Sequence, residues 1–207
     1  MRVLLTLGPT REFLDPVRYI SNASSGKMGL ALARALKSRG ASVTLVAGPG
    51  VGKLPGCGFV PVISARDMLA AVKKRFARCD VFVSVAAVAD YRPASRGAKK
   101  LPKKKSGLRL ALVPNPDILA EMGRLKKNQI VVGFALQDSL RDKGKAVRKM
   151  REKRCDIMVL NSVDAMDSDK ISAALILSDR SARNLGTISK EACASKICQA
   201  IRNLRSF

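Results

Sequence analysis

The chain has 207 residues, 47% of them apolar and 27% charged, with 39 Lys and Arg against 16 Asp and Glu, a formal net charge of +23 and no histidine. A single hydrophobic core keeps growing to roughly 250 residues, so this length suits one domain spanning 1–207, and the apolar share is sufficient to bury a core. Without histidine, Ser-His-Asp triads, Cys-His nucleophiles and HExxH zinc sites are excluded, and five cysteines with no CxxC spacing read as reduced thiols rather than a disulfide framework or metal site.

The first strand follows Met1 directly, without a basic leader or cleavage site, and no stretch approaches the ~18 continuous apolar residues a membrane span needs. A cytoplasmic chain without membrane attachment is expected. The strong positive field attracts polyanions, whether nucleic acid or phosphorylated small substrates. Only two Tyr, six Phe and no Trp are present, poor material for base-stacking platforms, so nucleic-acid binding is expected to be incidental.

In chain order, residues 2–7 (RVLLTL) form a short apolar strand that ends at Gly8-Pro9. Residues 28–38 (MGLALARALKS) carry a helical apolar face and stop at Gly40; 41–47 (ASVTLVA) is the next strand, broken by Gly48-Pro49-Gly50. An extended segment at 59–63, a helix at 65–77 and a strongly apolar strand at 81–88 follow. Residues 92–106 (RPASRGAKKLPKKKS) break the pattern and read as a basic flap. Beyond it the periodicities predict a strand at 108–113, a helix at 116–126, a strand at 130–135, a helix at 143–153, a strand at 157–160, an extended segment at 173–177 and a closing helix at 190–204. Strands alternating with helices give an α/β, Rossmann-like fold: a mainly parallel sheet with flanking helices, ligands lying outside the carboxyl ends of its strands.

The loop at 8–29 (GPTREFLDPVRYISNASSGKMG) joins the first strand to the first helix. Ser24, Ser25 and Gly26, just before that helix, offer hydroxyls, backbone N–H groups and a positive dipole end to phosphates. The spacing is neither that of a Walker A loop nor GxGxxG, and no Tyr-xxx-Lys pair is present, which disfavours an NAD(P)-dependent oxidoreductase as the alternative function, as the low aromatic content does a basic nucleic-acid-binding protein. Taken alone, the AAVA segment at 86–89 is also ordinary buried strand, and Lys149 and Lys153 are ordinary solvated helix lysines.

GPTRE at 8–12, DPVRYISN at 15–22, SSGKMG at 24–29, AAVADYRP at 86–93, KLPKK at 100–104, VPNPDIL at 113–119, VGFA at 132–135 and KMREKRCD at 149–156 leading to Asn161 together resemble the phosphopantothenate–cysteine ligase (phosphopantothenoylcysteine synthetase) family, in its order and near its spacing. The resemblance implies a dimeric ligase of coenzyme A biosynthesis that joins 4′-phosphopantothenate to L-cysteine through an acyl-cytidylate made from CTP with Mg²⁺. It assigns Asn22 to hydrogen-bonding that intermediate, Arg18 to the same loop's handling of substrate, and Lys100, on a flap at about 92–107, to stabilising its charge. It also places Ala86, Ala87 and Val88 in the nucleotide pocket with Asp90, makes Asn115, Pro116, Asp117 and Ile118 a base-reading turn, packs Phe134 on the nucleotide and brings Lys149 and Lys153 to its phosphates. The flap reads KLPKKK where the family more often has KIKK, leaving Lys99 and Lys103 as alternatives to Lys100, and Gln137 stands where a carboxylate is common. Many bacterial relatives carry an amino-terminal flavin-dependent decarboxylase; the start at Met1 suggests a stand-alone ligase, served by a separate decarboxylase chain.

Overall fold

The computed structural model describes residues 1–103, 107–137, 143–162, 168–179 and 181–205. The flap lysines at 104 and 105 therefore lie outside the described residues. The main sheet has eight strands: β1 (Arg2–Leu7), β4 (Ser42–Ala47), β5 (Gly58–Pro61), β6 (Val81–Ser84), β9 (Ile130–Gln137), β10 (Ile157–Ser162), β11 (Lys170–Leu177) and β12 (Ala182–Ser189). Its spatial order is β12-β11-β10-β9-β6-β1-β4-β5. The six strands from β10 to β5 run parallel, and β11 and β12 extend the sheet antiparallel. Numbered along the chain, the parallel strands stand in the order 3-2-1-4-5-6 of a doubly wound sheet, whose crevice opens where the order reverses, between β1 and β6.

The sequence reaches this arrangement because the central strands are apolar on both faces. In β1, Val3, Leu5 and Leu7 face one layer, while Leu4 points into the other beside Phe82, Val131 and Met158. The first layer is closed by helices α1 (Lys27–Lys37) and α5 (Lys190–Arg205), through Leu32, Leu36, Ile197 and Ile201. The second is closed by α2 (Ala65–Phe76), α3 (Ile118–Leu125) and α4 (Lys143–Glu152), through Met68, Met122 and Met150. Ser64 and Asp67 start α2 with a capping box, a device worth about 1 kcal/mol.

The structure corrects the element reading in five places. The apolar run 81–88 leaves the sheet after Ser84; beyond it Val85 still donates to Thr6 O at 3.3 Å, and Ala87 forms an isolated bridge to Pro9. The alternating 108–113 segment is no sheet strand; only β8 (Leu112–Pro114) is extended, and it pairs with β7 (Tyr91–Pro93) outside the sheet, leaving Leu108, Leu110 and Leu112 exposed. The loop at 8–29 contains a hairpin of β2 (Arg11–Phe13) and β3 (Tyr19–Ser21). The edge strand β12 was not foreseen, and β11 begins before the expected 173.

Candidate active site

The crevice between the β1 and β6 ends holds two adjoining clefts of ≈ 210 and ≈ 350 Å³, sharing Ala86 and Phe134 as a common wall. Together they reach the size of ligand sites, roughly 300–1,000 Å³.

The first cleft lies over the start of α1. Gly26 begins that helix at φ 72 with no side-chain cap, while Ser24 Oγ accepts the Gly26 amide at 3.4 Å. The N-terminus of α1, with no side-chain cap, turns its positive dipole end toward this cleft and suits an anion. Only glycine fits at this turn: the φ is left-handed, and a Cβ would stand 2.8 Å from Val51 Cγ2. Ser24, Ser25, Lys27 and Asn161 line this cleft together with Lys190, which is buried at the first position of α5. Lys27 Nζ also meets Asp169 at 2.8 Å. No Asp or Glu lines it among the described residues.

The second cleft is built by the segment that leaves β6. Buried Thr6 and Thr10 hold that segment through the Ala86 amide at 3.4 Å and the Ala89 amide at 3.0 Å. Asn22 Nδ2 donates to the Val88 carbonyl at 3.0 Å, and Asn115 donates its amide to Asp90 O at 2.8 Å and Nδ2 to Ala89 O at 2.9 Å. Arg92 donates to the Pro114 carbonyl and to Asn115 Oδ1. The result is a shaped wall in place of the expected strand end, with Val88, Asp90, Asn115, Pro116, Asp117 and Ile118 around the cleft. Asp117 is committed twice, capping α3 through the Ala120 amide at 2.9 Å and pairing with Lys153 Nζ at 2.8 Å.

All of the predicted nucleotide set except Lys149 borders one cleft or the other. Ser24, Ser25, Gly26, Ala86, Ala87 and Phe134 border the first cleft; Val88, Asp90, Asn115, Pro116, Asp117, Ile118 and Lys153 border the second. Asn22 sits at the seam, bonded to one wall and preceding Ala23 in the other. Lys149 lines neither cleft, and neither does Lys100, which is exposed on the flap. Arg18 forks onto Asp15 and reaches the Leu101 carbonyl at 2.7 Å. The sequence reading missed Lys27 and Lys190. A lysine opening a helix opposes the helix dipole, and that was the available signal for Lys190.

The family model described as the DNA/pantothenate metabolism flavoprotein C-terminal domain matches residues 1–204. The coenzyme A biosynthesis bifunctional protein CoaBC of Bacillus subtilis (strain 168) is 38% identical over 208 residues, covering 98% of this chain and 51% of the relative. Its namesake in Vibrio vulnificus (strain YJ016) is 44% identical over 165 residues, covering 78% of this chain and 41% of the relative. The chain thus spans about half the length of the curated relatives it matches. The crystal structure of the C-terminal domain of a CoaBC protein superposes with a TM-score of 0.85 at 35% identity, covering 99% of this chain and 97% of that domain. The match along nearly the whole chain and the shared fold show that the chain is a member of the DNA/pantothenate metabolism flavoprotein C-terminal domain family.

Proposed function

We propose that this chain is a phosphopantothenate–cysteine ligase acting in coenzyme A biosynthesis with CTP as its activating nucleotide. The observation that carries the proposal is the meeting, around two adjoining clefts at the switch point, of residues from five separated stretches of sequence. The relatives' names place them in coenzyme A biosynthesis, and the ligase resemblance runs through those same stretches.

In the first half-reaction the carboxylate of 4′-phosphopantothenate attacks the α-phosphorus of CTP. The α–β phosphoanhydride bond breaks and pyrophosphate leaves, giving the acyl-cytidylate. In the second, the amine of L-cysteine attacks the acyl carbon and loses its proton, and CMP departs. Neither step needs a protein nucleophile, so the chain contributes placement and charge. The α1 amides, Ser24, Ser25 and Lys27 meet phosphates, the Asn115–Ile118 turn with Asp90 faces the base and ribose, and Phe134 packs between. Asn22 donates to the acyl-nucleotide, and Lys100 approaches with the flap.

Among the described residues no group of three or more Asp, Glu, Cys or His could hold a metal ion. Mg²⁺ fits this site as a partner of the triphosphate rather than of a protein cage, and bound to the phosphates it would draw charge from the leaving pyrophosphate.

The assembly is proposed to be a homodimer. Val17, Tyr19, Tyr91, Leu108, Leu110 and Leu112 are exposed on the two hairpins, which pack side by side through β2 and β7, so their apolar side chains lie ready to be covered by a second copy. Because the relatives' names call them bifunctional proteins of coenzyme A biosynthesis, a decarboxylase is a further proposed partner. No helix among the described residues is long and apolar enough to cross a membrane. The test of the ligase reading is pyrophosphate release, which is expected only with CTP and 4′-phosphopantothenate together; release from CTP alone at the same rate would overturn it.

A further inference from the structure

Asp15 belongs to neither cleft, yet it is the most heavily engaged carboxylate described. The side chain is fully buried beside Pro16 in the β2–β3 hairpin. Oδ1 accepts the amides of Val17 and Arg18, both at 2.8 Å. Oδ2 accepts Arg18 Nε at 2.9 Å, Arg18 Nη2 at 2.5 Å and, from the flap, the Leu101 amide at 3.1 Å. The same Arg18 Nη2 donates to the Leu101 carbonyl at 2.7 Å. Both polar groups of Leu101 are therefore held, and the held amide is that of the peptide joining Lys100 to Leu101. A second tie lies four residues earlier, where the Gly97 amide donates to Leu14 O at 2.7 Å.

A buried carboxylate is costly unless its lone pairs are filled, and these five donors fill them. Burial by itself would raise its pKa. The Arg18 fork and the amides of Leu101, Val17 and Arg18 outweigh that and hold the carboxyl well below the usual carboxylate range. The depressed value means the tie is complete above the ordinary carboxylate pKa near ~3.9 and is lost only as pH falls through the lower folded value.

We propose that Asp15 is a positioning residue: through Arg18 and Leu101 it fixes where the flap lysine stands when the acyl-nucleotide is used. The inference rests on the ligase reading above. Asp15 touches no substrate; it acts by removing conformations from a segment rich in Lys and interrupted by Gly97 and Pro102. A lysine in place only part of the time lowers turnover more than it weakens nucleotide binding.

The experiment uses the full chain with Asp15→Asn, which keeps the shape but points an NH₂ group at donors. Amide hydrogen exchange is read by mass spectrometry without substrates, and steady-state kinetics are measured alongside. We expect exchange over residues 97–103 to rise by about tenfold or more while β1 and β6 keep their protection. Turnover should fall by about tenfold or more with the KM for CTP within about twofold, and Lys100→Gln should add little to the Asp15→Asn loss. Unchanged flap exchange, or losses that multiply in the double variant, would overturn the proposal. If β1 also loses protection, Leu101→Pro removes the flap's donor while leaving Asp15 in place, and must reproduce the same pattern over residues 97–100, or the proposal fails. Exchange does not depend on catalysis, so a wild-type chain that makes no product refutes the ligase reading while the tie is judged on exchange alone.

Discussion

The two clefts share a wall but not a chemistry. The one over α1 has two lysines, two serines, an asparagine and uncapped helix amides, and no carboxylate among its described lining; the other has Asp90, Asp117 and Asn115 with a single lysine, already paired to Asp117. A polyphosphate suits the first, because every polar group there donates or can donate. A base and ribose, which carry donors of their own, suit the second. One nucleotide lying across Ala86 and Phe134 would satisfy both, with its α-phosphate near the seam where Asn22 bonds the Val88 carbonyl.

The largest expected effect breaks the comparison at its acid-free side. No metal-binding cluster lies there among the described residues, so the proposed Mg²⁺ would arrive with the phosphates; excess chelator should then abolish turnover and added Mg²⁺ should restore it. Activity that survives chelation would mean that the lysines alone neutralise the triphosphate. Next is the seam. Asn22→Asp replaces a donor by a like charge and should cost about 2–4 kcal/mol in the transition state, roughly 30-fold to 900-fold in turnover, while the lost bond to the Val88 carbonyl should lower the melting temperature by only a few degrees. Near-normal turnover would remove Asn22 from the chemistry.

Smaller effects sharpen the contrast between the clefts. Lys27→Gln should raise the KM for CTP by about tenfold and leave the preference for CTP over ATP unchanged, as expected for losing one charged contact to phosphate. Asn115→Ala should do the reverse, relaxing the base preference, and should also lower stability by about 1 kcal/mol through its lost bond to Ala89 O, read as a drop of a few degrees in melting temperature. If the two variants exchange these signatures, the nucleotide lies the other way round. Lys149→Gln should change KM and turnover by less than about twofold, because Lys149 lines neither cleft.

How far the sequence could be read differs by region for physical reasons. The sheet and its helices were legible because strands buried on both faces are continuous apolar runs and their helices carry one apolar face, as in RVLLTL and MGLALARALKS. The strand β12 was not, since ARNLGTIS forms a mostly exposed edge with little apolar pattern. Residues 108–113 alternate like a strand, but their leucines face outward on a hairpin, so periodicity alone pointed to the wrong sheet. Within the site, short-range features such as Ser24, Ser25 and Gly26 before α1 could be read directly. Asp15 could not: the flap amide it accepts lies 86 residues away, and nothing local in DPVR announces that partner. Lys27 and Lys190 meet at the first cleft only because α1 and α5 pack on the same face of the sheet.

The central claim is tested most directly by incubating the chain with 4′-phosphopantothenate, L-cysteine and Mg²⁺, adding CTP, ATP, GTP or UTP one at a time, and identifying products by mass spectrometry. The account predicts phosphopantothenoylcysteine together with CMP when CTP is present, and far less product with the other three. Absence of the joined product with every nucleotide, from a chain whose melting transition shows it to be folded, would contradict it.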